Sequence, residues 1–362
     1  MQIGIVGDLH LGISYNTQIF NSQVESQSRS LDFIRQEFHK KNIDTILFMG
    51  DIFDDAKFCD ASVLTNLILK QFRKFSSEFK SIVILMGNHD KYYKDSLDVS
   101  FLSILELFPN IKIIDKITTV DGIPGLLVPW LTTETEKEFI NNIDKYSCDI
   151  VFGHFGICGF PYDAGNVAIT GISPDLFFTH FKKTISGHYH TPSYKEENGS
   201  SIRYVGSPYQ LTFGECGNKN CVYLLDTETL ELEEIENTVS NKFISFTDDY
   251  ILSHKKEDFN LNNCYVRLQY DSNISSKEFY LICELIEKKN PIVFRKCLKK
   301  RTTPKEILEE SVSDDKTYDK LFSAIASNDI QGIVDAYKEA NPISDSGFKK
   351  VDEVLDILKK KI

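Results

Sequence analysis

Seven residues of related chemistry stand at or near the ends of short apolar runs in this 362-residue chain: Asp8, His10, Asp51, Asn88, His154, His188 and His190. Each alone has an ordinary reading, because aspartate after glycine forms turns and a histidine near a strand end usually makes a hydrogen bond. Together, imidazole nitrogen with carboxylate and carboxamide oxygen forms a borderline-to-hard donor set. It suits manganese, iron or zinc and suits copper(I) poorly, since no thiol belongs to the group. Seven donors are too many for one tetrahedral ion. They suit two ions about 3.5–4 Å apart with one carboxylate bridging, a spacing used for phosphoryl displacement. Two cations would hold the attacking hydroxide and offset charge on the phosphate. His39, His180 and His254 lack this setting and are read as ordinary residues.

The elements that must position the seven are legible as one device used repeatedly. "IGIVGDLH" (3–10), "TILFMGD" (45–51), "IVILMGNHD" (82–90), "DIVFGHF" (149–155) and "TISGHYH" (184–190) are apolar runs leading to glycine and then a polar residue. Each predicts a strand buried on both faces, then a glycine that lets the chain turn and sets the next side chain at the carboxyl edge. Helical patterns at 28–42 and 61–75 separate the first three runs. The alternation predicts an α/β fold with parallel strands, right-handed crossovers and functional residues gathered at one sheet edge. Extended texture at 111–131 and again at 201–235 predicts a second sheet packed on the first.

A third helix is expected over 96–108, apolar around nearly its whole circumference, which requires burial on more than one side. It is either a deep core helix or a self-association surface shared with Leu64, Leu67, Ile68 and Phe72. From Asn237 onward, "FISF", "CYVRLQYD" and "PIVFRKCLKK" read as strands and 275–290 as a capped helix, a small α+β unit. Two amphipathic segments follow, with Ile330, Ile333, Val334 and Tyr337, then Phe348, Val351, Val354, Leu355, Leu358 and Ile362 at helical spacing. They would dock on the chain's own small domain or on a partner helix.

A net charge of -12 argues against a protein that coats DNA generally, although basic residues can still act locally. The eight cysteines, mostly inside apolar stretches, suit buried reduced thiols. "CGNKNC" (216–221) reads as a glycine-containing hairpin turn rather than a zinc site, for want of a second ligand pair. The N-terminus does not read as a signal peptide, and no apolar run reaches 18 residues. The expected setting is soluble, intracellular and cytoplasmic (the host cytoplasm if the chain is viral), with no membrane.

In chain order, Asp8-x-His10, "GDIFD" (50–54), "GNHD" (87–90), "GHF" (153–155) and "GHYH" (187–190) resemble the motif series of the calcineurin-like metallophosphoesterases. Within that superfamily the chain looks like the meiotic-recombination double-strand-break nucleases, whose bacterial form is SbcD. That closer likeness rests on "DLHLG" (8–12), on Asp after "GNH" and on "YVGSPYQLTFGE" (204–215), and it covers residues 1–235. Protein phosphatases of the superfamily carry Arg where this chain has Asp55, which counts against them.

The resemblance implies a two-sheet αββα sandwich. It implies one metal held by Asp8, His10, Asp51 and His190, and another by Asp51, Asn88, His154 and His188, with Asp51 bridging. Manganese is the implied metal and magnesium the alternative. His89 resembles the family's catalytic histidine, placed to protonate the departing ribose oxygen or stabilise charge on the scissile phosphate. Asp54, taken with His89 as a catalytic candidate, stands where some members have a histidine that helps position the DNA end, so substrate geometry stays open.

By the same resemblance, residues 1–240 form the nuclease domain and 241–312 a capping domain that shapes the DNA path. Residues 313–362 form a helical segment docking an SbcC-type SMC-like ATPase, and helices 61–75 and 96–108 mediate a homodimer. The implied activity is 3′–5′ exonuclease on duplex DNA and endonuclease on single strands and hairpins, in repair, recombination and replication. Candidate DNA contacts are Lys91 and Tyr92 in "KYYK" and Arg295, Lys296, Lys299 and Lys300 in "FRKCLKKR". Loop packing and a lysine-protected strand edge are the competing readings of those two segments. Two other functions remain open: a metallophosphatase or cyclic-nucleotide phosphodiesterase of the same fold, and an architectural subunit with residual activity. The complete donor set argues against the second.

Overall fold

A computed structural model of the chain describes residues 1–13, 19–57, 59–93, 95–146, 148–163, 165–254 and 259–299. The amphipathic C-terminal segments and the 300–312 end of the expected capping domain lie outside the described residues. The first part alternates strand and helix: β1 (Gln2–Val6), α1 (Phe20–Lys40), β2 (Thr45–Phe48), α2 (Lys70–Glu78), β3 (Ser81–Leu85) and β4 (Ile111–Ile114), with the four strands parallel. There follow β5 (Leu126–Val128), α3 (Thr133–Asn141), β6 (Ile150–His154) and a short pair, β7 (Pro161–Asp163) with β8 (Asn166–Val167). Then come α4 (Pro174–His180), β9 (Lys183–Gly187), β10 (Ser193–Glu197), β11 (Ser200–Tyr204), β12 (Cys221–Asp226) and β13 (Leu232–Glu236). One sheet has the order β13-β12-β1-β2-β3-β4, the other β10-β11-β9-β6-β5.

The two-residue period of the strands sorts their side chains into layers. Ile3, Ile5, Leu47, Met49, Val83 and Leu85 face Leu127, Phe152 and Ile185 of the other sheet. Ile46, Phe48, Ile82 and Ile84 point the other way, against Leu31, Ile34 and Phe38 of α1 and Phe72 and Phe75 of α2. On the far side, Phe139 of α3 and Phe177 of α4 cover Val151 and Phe155. Both faces of each central strand are therefore apolar, and the layers run α, β, β, α. A fully buried side chain of this size contributes about 1.5–3 kcal/mol, which fixes strand register because a one-residue slip would exchange the two faces.

Three elements differ from the sequence pattern. α1 starts at Phe20 rather than 28, because its first turns bury Gln23, Ser26, Gln27 and Ser30 instead of apolar residues. That polar face holds loops: Gln27 Nε2 donates to the His10 carbonyl at 3.0 Å, and Gln23 Nε2 to the Leu211 carbonyl at 3.2 Å. The helix expected over 96–108 is only a 3-10 turn, Phe101–Leu107, that buries Leu102 and Leu105 while Leu107 stays 73% exposed. Ser100 starts it by accepting from Leu102 N. Leu67, Ile68 and Phe72 are fully buried in the chain's own core, so they offer nothing to a second copy. Finally, "CGNKNC" is no hairpin: it leads from a 3-10 turn, Phe213–Glu215, into β12, which pairs with β1 and β13. Every cysteine is unpaired, but only Cys221, Cys264 and Cys283 are buried.

Beyond β13, a separate parallel sheet has the order β14-β15-β16, from β14 (Lys242–Thr247), β15 (Cys264–Tyr270) and β16 (Val293–Leu298). α5 (Asp248–Ser253) and α6 (Ser276–Glu287) contribute to its own apolar core through Ile251, Ile282 and Ile286. Ser275 caps α6 by accepting from Glu278 N. A polar seam joins this unit to α1: Asn241 N donates to Ser26 Oγ at 2.8 Å, and Arg29 Nη2 to Asn241 Oδ1 at 2.7 Å. Among the described residues, no helix is long and apolar enough to cross a membrane.

Gly7 ends β1 where a side chain would run into the Gly206 carbonyl oxygen. Both partners are backbone, so neither can move aside cheaply. Gly7→Ala is expected to cost about 1–3 kcal/mol of stability, read as a lower urea midpoint at unchanged slope.

Candidate metal centre

The carboxyl ends of β1, β2 and β3 deliver Asp8 and His10, Asp51, and Asn88, while β6 and β9 deliver His154 and then His188 and His190. The seven residues thus come from the edges of both sheets, where alternation alone implied one. His10, Asp51 and His188 have φ of 43°, 49° and 89°, a region costly for residues with a side chain. The surroundings hold them there: the amides of Leu9 and His10 both donate to the Asp51 carbonyl, at 3.0 and 2.9 Å.

Asp51 is the centre of the cluster. Its Oδ2 lies 3.5 Å from His10 Nε2 and 3.2 Å from His154 Nε2. Asn88 Oδ1 is 3.0 Å from His154 Nε2 and 2.9 Å from His188 Nδ1. Asp8 accepts the His188 amide at 3.0 Å and comes within 3.5 Å of His154 Nδ1. The ring of His190 sits 4.6 Å from that of His10, centroid to centroid. All seven candidates are therefore brought together, with Asp51 between His10 on one side and His154 on the other.

His89 follows Asn88 and is exposed, and its ring stands with His10 and Asp54, one ligating atom of each within 4.8 Å of the others. Its amide donates to Asp51 Oδ1 at 2.8 Å, its Nδ1 lies 2.7 Å from the Asp54 carbonyl, and its ring meets His10 edge-on at 4.6 Å. Asp54 also places Oδ1 3.2 Å from His10 Nδ1, so it braces two histidines at once. Asp90, fully buried, accepts the amides of Gly87 at 2.9 Å and Phe53 at 3.1 Å, tying the loops after β2 and β3 together.

Two residues escaped the sequence reading. Buried Glu215 holds His190 Nδ1 at 3.2 Å and accepts Leu211 N at 2.8 Å. It closes "YVGSPYQLTFGE", and nothing in the spacing marked it as a histidine partner. Trp130 follows the end of β5 and stacks obliquely at 4.8 Å on His188. It stands at a strand end like the others, but without the glycine and without a donor type for a metal. Of the proposed DNA contacts, Lys91 lies with its Nζ 5.7 Å over the Trp130 ring and Tyr92 is exposed beside it. Arg295 and Lys296 lie instead on β16, an edge strand of the three-stranded sheet, and Lys296 pairs with Glu287 at 3.1 Å. Lys300 lies outside the described residues.

The donor set fits divalent metal. His10 Nε2 is buried and lacks a hydrogen-bond partner, while carboxylates hold Nδ1 of both His10 and His190. Carboxylate-held imidazoles of this kind are typical of metal ligands. Burial raises the Asp8 pKa to about 6, with the Asp51 charge adding to it. Burial also opposes ionisation of Asp51, but His154 and His10 outweigh it and hold the carboxyl below its ordinary range. For His154, burial is likewise outweighed, by Asp51 and Asp8, and its pKa rises to about 9. The Asp51 carboxylate and the His154 imidazolium therefore stabilise each other. Burial lowers His10 to about 4, leaving its ring neutral and able to donate an electron pair.

A two-sheet α/β sandwich with histidine, aspartate and asparagine donors at its strand ends defines a metal-dependent phosphoesterase. Residues 1–192 match the calcineurin-like phosphoesterase family, and the chain belongs to it. It is similar to exonuclease subunit 1 of Enterobacteria phage T4, 31% identical over 66% of this chain and 69% of that protein. It is also similar to the SbcD component of the SbcCD nuclease from Staphylococcus epidermidis (25% identical, 64% of this chain, 67% of the relative) and from Escherichia coli K12 (24%, 66% and 68%).

If Glu215 orients His190 for a metal, Glu215→Gln should weaken divalent-metal binding by about 10–100-fold while the fold is kept. Isothermal titration calorimetry with manganese, alongside circular dichroism, reads both quantities. Unchanged affinity would mean that His190 needs no such partner.

Proposed function

We propose that this chain is a two-metal DNA nuclease. Asp8, His10, Asp51 and His190 would hold one divalent ion, and Asp51, Asn88, His154 and His188 the other, with manganese expected and magnesium the alternative. Bound there, the ions supply charge compensation and water activation for in-line displacement at phosphorus. The observation that carries the proposal is the placing of His89. It is the exposed histidine at the edge of a buried donor cluster, and the Asp54 carbonyl at 2.7 Å takes the Nδ1 proton. On that tautomer, Nε2 is the ring atom that would exchange a proton with the leaving oxygen. Asp54 acts as a positioning residue, through His89 by its carbonyl and through His10 by its carboxylate.

DNA as substrate is supported by the relatives, whose names are those of an exonuclease and a nuclease. By the same likeness the chain would cut duplex ends 3′ to 5′ and open single strands and hairpins, as the nuclease component of an SMC-like ATPase complex. Residues 1–240 would form the nuclease domain, 241–312 the capping domain, and 313–362 the ATPase-docking segment. A homodimer would use the surface around Leu64, Val99 and Leu107, which the chain's own core leaves wholly or partly uncovered.

His89→Asn should lower DNA turnover by about 10²–10⁴-fold while metal and DNA binding persist. The measurement is manganese-dependent cleavage of end-labelled duplex and hairpin DNA, with and without the ATPase, alongside calorimetry and anisotropy. Loss of metal as well would put His89 among the ligands. Hydrolysis of a chromogenic diester by the wild-type chain with no cleavage of any DNA would leave a phosphodiesterase and remove the nuclease.

A further inference from the structure

We infer that the cavity walled by Trp130, Lys91 and Tyr92 is a nucleobase site, which receives an unpaired base next to the bond being cut. The inference rests on the nuclease reading and adds a substrate preference to it: cleavage next to a base that has left the stack. Trp130 is fixed in place, since its amide donates to the Met86 carbonyl at 2.7 Å, at the end of β3. Its indole lies 4.8 Å from the His188 ring and 6.0 Å from that of His154, so one edge of it borders the donor cluster.

Beside it opens a cavity of about 380 Å³, and Asn88 lines both this cavity and the cluster. That volume falls in the range of small-ligand pockets, roughly 300–1,000 Å³. The walls combine π-faces with cations. Lys91 Nζ lies 5.7 Å over Trp130, Lys57 Nζ lies 5.8 Å over Tyr92, and Tyr92 and Tyr93 are 43% and 55% exposed. Aromatic faces accept any base by stacking, and neighbouring cations accept the phosphates on either side. In a chain of net charge -12, two lysines against the single described carboxylate, Asp95, leave this spot locally positive, which favours a nucleotide over an uncharged ligand.

The surroundings of Trp130 also argue for this side. A second cavity, about 190 Å³, also borders Trp130, but Glu136 lines it and no lysine or arginine appears among its described residues, whereas in the first cavity Lys57 and Lys91 outnumber the one described carboxylate, Asp95. A polyanion is therefore directed to the lysine side. A duplex end whose bases stay stacked would leave the cavity unfilled, while a frayed end, a hairpin loop or a single strand could fill it.

Trp130 is the single tryptophan of the chain, so its fluorescence reports this site alone. The full chain is titrated in EDTA with a short oligothymidylate and with its abasic counterpart of equal length and charge. The base-bearing strand should quench the emission saturably and bind at least about fivefold more tightly than the abasic one. Anisotropy of dye-labelled strands extends the comparison to variants: Trp130→Phe keeps most of the preference and Trp130→Ala loses it. Equal quenching or equal affinity for the two strands, or an unchanged preference in Trp130→Ala, overturns the site. With metal removed, this outcome is independent of catalysis. A chain that prefers the base-bearing strand yet cuts no DNA in manganese overturns the nuclease reading alone. One that cuts DNA without the preference overturns the base site alone.

Discussion

The hydrogen bonds that converge on Asp51 hold the site together. Its carbonyl accepts two amides from the loop after β1, and its carboxylate accepts the His89 amide from the loop after β3. The same carboxylate reaches His154 of the second sheet. One residue thus ties three loops and two sheets, and it does so with φ at 49°. Backbone strain of about 1–3 kcal/mol persists because those bonds leave the residue no other conformation. The sequence shows the consequence at Gly87, where any side chain would strike the Asp51 carboxylate and amide.

That constraint sets demands on the scaffold. Donors from β2 and β6 approach within 3.2 Å only if the sheets pack face to face with their carboxyl ends together. The apolar layer of Leu47, Met49, Val83 and Phe152 supplies the packing, and parallel strands within each sheet supply the common direction. Loops at such an edge would sag without local support. Asp90 bonds two of them to each other, Gln27 of α1 holds the His10 carbonyl, and Tyr209 donates to the Leu9 carbonyl. These supports are buried polar groups, each with its hydrogen bond made.

This division explains what could be read from sequence. The central strands and the clustering of the seven candidates were legible because both obey local rules: continuous apolar runs for strands buried on two faces, and polar residues of one chemical kind near the glycine that follows. The first turns of α1 were not legible, since Gln23, Ser26 and Gln27 break the apolar period in order to bond distant loops. The stretch 96–108 misled in the opposite sense. Its apolar residues suggested a continuous helix, yet Ser100 bonds both the Asp90 carbonyl and Leu102 N and starts a tight turn instead. Glu215 and Trp130 meet the site only through tertiary contact, which one-dimensional spacing does not encode.

The three residues Asn88, His89 and Asp90 show how one turn holds three side chains in three different settings. Asn88 is half-buried and directs its carbonyl oxygen to His154 and His188. Asp90 is fully buried and bonds only backbone amides among the hydrogen bonds of its carboxylate, so it determines loop position without offering itself to substrate. His89, between them, is exposed and anchored at two points, its amide on Asp51 and its Nδ1 on the Asp54 carbonyl. Anchoring at the amide and at one ring nitrogen restricts both the backbone and the ring. An exposed side chain is held in one place when its neighbours are bonded to something buried. Here both anchors, Asp51 and Asp54, are themselves bonded into the donor cluster.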